Sequence, residues 1–182
     1  MNIVVISGSP RAESITQRVA LHLRDRLKST TSHHIDYVNV RDWNLPMLEQ
    51  VFNSVENTPD TYKALSEIMF AADAFILVTP EYNGSYTPAL KNLLDHYPKQ
   101  LRKAFGLVTA TVGGLGGMRA AQQLLHLVPA FFGIASPFFL LVPQVENKFD
   151  STGKLIDGAF EKQVHQFLGE FLWLGETLNV ER

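Results

Sequence analysis

Gly8-Ser9-Pro10-Arg11-Ala12-Glu13-Ser14 follows the apolar run Ile3-Val4-Val5-Ile6 and leads into a helix-period segment. A loop of small residues between a strand and a helix turns backbone N–H groups toward an empty concavity. The helix N-terminus adds partial positive charge there and Arg11 adds a full one, which together suit a phosphate group. Ser14 is also a good N-cap, and Thr16 and Gln17 lie in the first helical turn at the same mouth. The loop fits an ordinary capped turn with a surface arginine equally well. It is not a Walker loop, because no Gly-Lys-Ser/Thr follows.

Further along, apolar runs of strand length alternate with longer helix-period segments. The expected strands are 2–7, 34–40, 74–79, 105–111 and 138–142. The expected helices are 14–28, 59–71, 88–96, 118–129 and 159–178. Ile3–Ile6, Phe75–Val78 and Phe139–Val142 are apolar nearly throughout, as strands buried on both faces are. In the last helix, Phe160, Val164, Phe167, Leu168, Phe171 and Leu172 recur at three- and four-residue steps and make one apolar stripe. Five strand–helix repeats predict an α/β fold, a doubly wound five-stranded parallel sheet in the order 2-1-3-4-5 with helices on both faces. Residues 41–58 and 144–158 read as exposed loops. No linker or internal repeat divides the chain, so residues 1–182 are expected to form a single domain.

Composition narrows the function. The 182 residues are 46% hydrophobic, enough for one sizeable core. Sixteen basic residues against eighteen acidic ones give a net charge of −2, which offers no electrostatic footprint for nucleic acid or an anionic membrane. There is no cysteine, which excludes disulfides, thiol catalysis and thiolate metal sites. No targeting segment is expected. The greasiest stretch, 127–142, is broken by Pro129, Gly133, Ser136 and Pro137 and falls short of the roughly 18 apolar residues of a spanning helix. The expected location is cytoplasmic.

Two further segments sit at strand ends. Pro80-Glu81-Tyr82-Asn83-Gly84-Ser85-Tyr86 follows strand 3 and offers backbone amides and aromatic faces to a flat heterocycle; it also reads as a plain turn. In an open α/β sheet, ligands bind beyond the carboxyl ends of the strands where the strand order reverses, so the loops after strands 1 and 3 should face one crevice. Thr111-Val112-Gly113-Gly114-Leu115-Gly116-Gly117 follows strand 4. With Gly114 and Gly116 in the first two places of a dinucleotide fingerprint, the third glycine would fall at Arg119, so the fingerprint is absent. The segment is either a tight connection or a backbone that a ligand approaches closely.

These three segments in this order resemble the NAD(P)H-dependent FMN reductase family, whose fold is flavodoxin-like. The matching pieces are Gly8 to Ser14, Pro80 to Asn83 running into Leu90-Lys91-Asn92-Leu93-Leu94-Asp95, and Gly113 to Gly117; the similarity covers most of residues 1–143. The resemblance implies FMN as cofactor and NADPH or NADH as co-substrate. It implies that Ser9, Arg11, Ser14, Thr16 and Gln17 hold the FMN phosphate. It implies that Pro80, Glu81, Tyr82, Asn83 and Gly84 contact the isoalloxazine ring, mostly through backbone groups, with Gly113 and Gly114 on its far side. No catalytic acid–base residue and no metal ligand is expected. Thr16 stands where the family commonly has Asn, and Thr87-Pro88 replaces a more usual Pro-Gly.

The implied reaction carries hydride from NAD(P)H to a second small-molecule acceptor: a quinone, free flavin, an azo compound, or a metal oxyanion or chelate. Two other readings compete, a flavodoxin-type electron carrier and a non-catalytic phospho-ligand or interaction module on the same fold. The net charge speaks against the first, because such carriers are usually strongly acidic; Tyr82 and Tyr86 speak against the second. The resemblance also implies a homodimer or homotetramer. The resemblance implies that Trp43, Pro46 and Leu48 wall the flavin site from a neighbouring subunit; they read equally well as a simple packed loop. Leu90, Leu93, Leu94 and Tyr97 are expected to cover the sheet, with any surplus left for a subunit contact. Adjacent strand residues His33 and His34 point to opposite faces and make a poor metal pair. His96, after the helix, is within reach of a pocket edge, and a solvated or interface position is the expectation.

Overall fold

The computed structural model describes residues 1–180. Among these residues, six parallel strands and five α-helices follow one another: β1 (Asn2–Ser7), α1 (Ile15–Thr30), β2 (His34–Asn39), α2 (Lys63–Ala71), β3 (Ala74–Thr79), α3 (Pro88–Asp95), β4 (Ala104–Ala110), α4 (Met118–Ala130), β5 (Ile134–Ala135), β6 (Leu140–Val142) and α5 (Glu161–Val180). The sheet order is β2-β1-β3-β4-β5, with β6 also on β4. The order read from the sequence is the order observed.

The fifth strand position differs in detail. The sequence predicts one strand over 138–142. The chain instead lays two short pieces along β4: β5 beside Ala104 and Phe105, and β6 beside Val108 to Ala110. Ser136 N–H still reaches the Phe105 oxygen at 2.8 Å. Pro137 follows with no N–H to give, so the ladder lapses until Leu140. Helix α2 likewise starts later than expected, after a 3-10 turn at Asp60–Tyr62.

Every residue of β3 and β4 is buried, as strands covered on both faces require. Alternate residues feed two separate cores. Ile3, Val5, Ile76 and Val108 meet α1 and α5 through Val19, Leu23, Phe167 and Phe171. Val4, Ile6, Phe75 and Leu107 meet α2, α3 and α4 through Leu65, Met69, Leu93 and Leu124. Leu90, Leu93, Leu94 and Tyr97 are all buried within the chain. Helix α3 therefore leaves none of these four side chains free for a subunit contact. No helix among the described residues is long and apolar enough to cross a membrane.

His96 is neither solvated nor at an interface within this chain. It is 1% exposed, its Nδ1 lies 2.7 Å from the Asn92 oxygen, and its ring packs 5.0 Å from Phe52. Beside it, Thr58 Oγ1 donates to the Ser54 oxygen at 2.8 Å and lies 2.9 Å from Ser66 Oγ, which lies 3.0 Å from the Tyr97 hydroxyl. Burial pushes the Tyr97 phenol up to about 12, so it stays protonated across physiological pH. This buried polar cluster ties the loop after β2 to α2 and α3.

On the opposite side, the loop after β6 folds back over α1. Arg18 donates to the Phe149 oxygen at 3.1 Å, and His22 Nδ1 lies 3.1 Å from the Gly153 oxygen. A carbonyl only accepts, so Nδ1 carries the proton, and the neutral ring leaves Nε2 buried without a partner. Desolvation holds the imidazole below its ordinary pKa of 6.5, outweighing the nearby Glu161 carboxylate. A histidine whose folded-state pKa is depressed gives stability that is complete above the unfolded value and is lost as pH falls below it. Lowering the pH from about 7.5 to about 5.5 should therefore lower the Tm of the wild type more than that of His22→Gln. Equal losses in thermal melts of the two proteins would contradict this account of His22.

Candidate functional site

The loops after β1, β3 and β4 leave the carboxyl edge of the sheet side by side. Strand order reverses between β1 and β3, because the chain goes to β2 on one side and returns to β3 on the other. The two loops therefore diverge around a crevice. Its base is pinned at Gly8, whose N–H donates to the Val78 oxygen at 2.7 Å and whose carbonyl accepts from the Thr87 hydroxyl. The same Thr87 oxygen accepts from Leu90 N–H at 3.1 Å and so caps α3, with Pro88 at the first helical position. Thr87 thus fixes the β3 loop and α3 to the start of the β1 loop. The Thr-Pro pair makes a well-formed helix start and carries this cross-loop bond.

Above that base lies a groove of about 250 Å³. Ser9, Arg11, Ser14 and Thr16 line it from one side, Pro80, Glu81 and Tyr82 from another, and Thr111 and Val112 close it. Ser9 and Thr16 are each 2% exposed, whereas Arg11 is exposed. The Arg11 guanidinium stands over the Tyr82 ring at 5.0 Å, so the two loops also meet across the top. Ser14 caps α1, accepting from Gln17 N–H at 3.3 Å. The first amides of α1 have no intrahelical acceptor and leave positive potential at the mouth. Thr16 Oγ1 donates to the Ala110 oxygen at 3.3 Å.

The remaining expected residues stand around this groove rather than in its lining. Asn83 and Gly84 form the tip of a tight turn at φ +50° and +84°, closed by paired bonds between Tyr82 and Ser85 of 2.8 and 3.1 Å. Gln17 lines a neighbouring cleft with Glu13, Ser14 and Ser151. Gly113 and Gly114 line an adjoining cavity of about 580 Å³, which shares Glu81 and Thr111 with the groove and continues along Leu115, Met118 and Arg119.

Trp43, Pro46 and Leu48 do not line the groove within this chain. Trp43 packs partly against the α2–α4 core, and the Asn92 amide donates to the Pro46 oxygen at 2.8 Å. His33 and His34 turn to different carboxylates, Glu176 at 2.8 Å and Asp36 at 3.3 Å. Two features escaped the sequence reading. The bond from Thr87 to Gly8 joins positions 79 residues apart, and only the local half of Thr87's role is legible, as a Thr-Pro helix start. The second is the Glu81 side chain, which accepts from the Arg119 and Ala120 amides.

The chain is similar to known proteins in sequence and in fold. An NAD(P)H-dependent FMN reductase of Schizosaccharomyces pombe is 34% identical over 130 residues, which are 69% of this chain and 64% of that protein. The chain thus spans about two thirds of that relative. An FMN-dependent NADPH-azoreductase of Staphylococcus aureus is 33% identical, with 94% of each chain covered. A probable NADPH:quinone oxidoreductase of Oryza sativa is 28% identical, over 92% of this chain and 85% of that one. Among solved structures, the flavoenzyme NAD(P)H:(acceptor) oxidoreductase of Paracoccus denitrificans superposes with a TM-score of 0.76 at 18% identity, over 97% of both chains. A flavodoxin mutant from Pseudomonas aeruginosa superposes at 0.58 with 19% identity, over 94% of this chain and 99% of that one. Both share the flavodoxin-like fold. The sequence model of NADPH-dependent FMN reductases matches residues 1–145, and the chain belongs to that family.

Proposed function

We propose that this chain is an FMN-dependent oxidoreductase that takes hydride from NADPH or NADH and reduces a second small molecule. The acceptor classes are quinones, azo compounds, free flavin, and metal oxyanions or chelates. One observation carries the reading: loops more than seventy residues apart, pinned together at Gly8, enclose one groove with hydroxyls and a helix N-terminus at one end and an aromatic face at the other. The relatives named for azo and quinone reduction support a small-molecule acceptor.

The donor set fits FMN. Ser9 and Ser14 offer hydroxyls, Arg11 offers a forked cation and α1 offers free amides, which together suit a phosphate dianion. Thr16 spends its hydroxyl proton on Ala110, so its share in phosphate binding comes from its backbone N–H. Gln17, next to Thr16 in the same first turn, faces the neighbouring cleft and flanks the phosphate end. Pro80 to Gly84 present backbone groups and the Tyr82 ring to the flat part of the cofactor, and Gly113 and Gly114 bound the far side. Arg11 serves both ends: its guanidinium lies on Tyr82 and turns toward an anion held by the loop.

Bound FMN supplies the redox chemistry, accepting hydride from the nicotinamide and releasing electrons to the second substrate. The chain's own residues bind, orient and exclude water. The 580 Å³ cavity beside Gly113 and Gly114 gives the nicotinamide and the acceptor access to the same edge of the groove. The whole chain, residues 1–182, acts as one FMN-binding unit, and two or four copies associate in the cytoplasm. Exposed Met47, Leu48 and Val51 in the loop after β2 support self-association, and light scattering that returns a monomeric mass would exclude it.

The test is steady-state NADPH and NADH oxidation by the flavin-loaded protein with a quinone or free FMN as acceptor. Turnover supports a reductase. FMN binding without nicotinamide oxidation would make the chain an electron carrier instead. Arg11→Ala should weaken FMN about tenfold or more, because charge-assisted hydrogen bonds contribute about 1.5–3 kcal/mol. An unchanged dissociation constant in a fluorescence titration would remove Arg11 from the site.

A further inference from the structure

Helix α4 begins without a capping side chain of its own. Its N-cap is Gly117, at φ +81°. A Cβ there would stand 2.9 Å from Thr109 Cβ, so no residue able to carry a capping oxygen fits. The second and third amides of the helix belong to Arg119 and Ala120, and these are the amides that an N-cap side chain serves. Both are taken by one carboxylate oxygen from a different loop. Glu81 Oε2 accepts from Arg119 N–H at 3.2 Å and from Ala120 N–H at 3.4 Å.

Position 81 lies on the β3 loop, and the same side chain lines both the groove and the adjoining cavity. The Arg119 side chain closes the contact from the other direction, lying 3.7 Å from where a Cβ on Gly84 would stand. Among the described residues, no side-chain hydrogen bond joins 111–117 itself to the β3 loop; the Glu81 bonds to Arg119 and Ala120, in the first turn of α4, are the nearest such tie. Its own ties run to β4, through Thr109 Oγ1 donating to the Gly116 oxygen at 2.6 Å, and to the end of β6, through Thr111 N–H donating to the Val142 oxygen at 3.0 Å.

We propose that Glu81 is a positioning residue: its carboxylate caps α4 from the neighbouring loop and latches the glycine segment to the β3 loop, fixing the width of the cleft that receives the flat part of FMN. The functional half of this proposal rests on the FMN reading above. The latch itself is a property of the chain without flavin. Placing a negative charge at the helix N-terminus also consumes the anion-binding capacity of α4, so the anionic end of the cofactor is directed to α1.

The test compares wild type, Glu81→Ala and Glu81→Gln as full-length chains. Gln keeps one acceptor oxygen and removes the charge; Ala removes both. Amide hydrogen exchange without added FMN should be about tenfold faster at Arg119 and Ala120 in the Ala variant and within about threefold of wild type in the Gln variant. Gln17, at the start of α1, should exchange alike in all three. FMN titration should show about tenfold weaker binding for Ala and recovery to within about threefold for Gln. Unchanged exchange in the Ala variant would overturn the latch. Faster exchange with unchanged FMN affinity would overturn the positioning role. If wild type itself takes up no FMN, the proposed function and the positioning role both fall, and the exchange measurement still decides whether the cap exists.

Discussion

Thr87→Val should lower the free energy of unfolding by about 2–4 kcal/mol and weaken FMN binding with it. The side chain is fully buried, and one oxygen serves two bonds. Loss of an N-cap costs about 1 kcal/mol. Leaving the buried Gly8 carbonyl without its donor costs about 1–3 kcal/mol more. Valine matches threonine in shape, so little of the effect comes from a cavity. The consequence for the site is specific. Without the hydroxyl, the Gly8 N–H bond to Val78 remains but the tie from Gly8 to the start of α3 is lost. Chemical denaturation reads the stability, and a flavin titration reads the groove. Thr87→Ser should restore most of both, because it returns the hydroxyl. A Val variant as stable as wild type would show that the Gly8 carbonyl finds another partner.

Gly117→Ala should cost about 2–4 kcal/mol. A non-glycine residue in the left-handed region costs about 1–2 kcal/mol, and the new Cβ would also press on Thr109 at 2.9 Å. Relief requires Thr109 or the glycine segment to move, and either motion breaks the bond from Thr109 to the Gly116 oxygen. By contrast, Gly114→Ala meets no atom within 4 Å and should leave stability within about 0.5 kcal/mol of wild type. Thermal melts of the pair separate a glycine required by the backbone from one that merely leaves room. Equal Tm values for the two variants would contradict this reading of the β4 loop.

The fold was legible because its signals are local and repeated. Ile3–Ile6 and Phe75–Val78 each declare a strand buried on both faces, and each is followed by a helix-period segment. The split of the last strand was less visible. Phe138-Phe139-Leu140-Leu141-Val142 reads as one apolar run, and the effect of Pro137 depends on which neighbour the ladder faces. The site was legible as three strand-end loops and as a short list of hydroxyls and an arginine. What makes those loops one site was not. The bond from Thr87 to Gly8, the cap from Glu81 to α4 and the contact of Arg11 with Tyr82 all join residues far apart in the chain. Such contacts depend on register and crossover geometry, which a single sequence does not encode locally. Helix α3 shows the opposite limit: periodicity marked Leu90, Leu93, Leu94 and Tyr97 as apolar, and only the packing shows that the core uses all four.

The central claim is that the β1 loop holds a phosphate while the β3 and β4 loops hold the ring of the same molecule. Parallel titrations with FMN and riboflavin, followed by flavin fluorescence, test it most directly. One equivalent of FMN should bind at micromolar or tighter affinity, and riboflavin at least about tenfold more weakly because it lacks the phosphate. No FMN binding, or equal affinity for the two flavins, would contradict it.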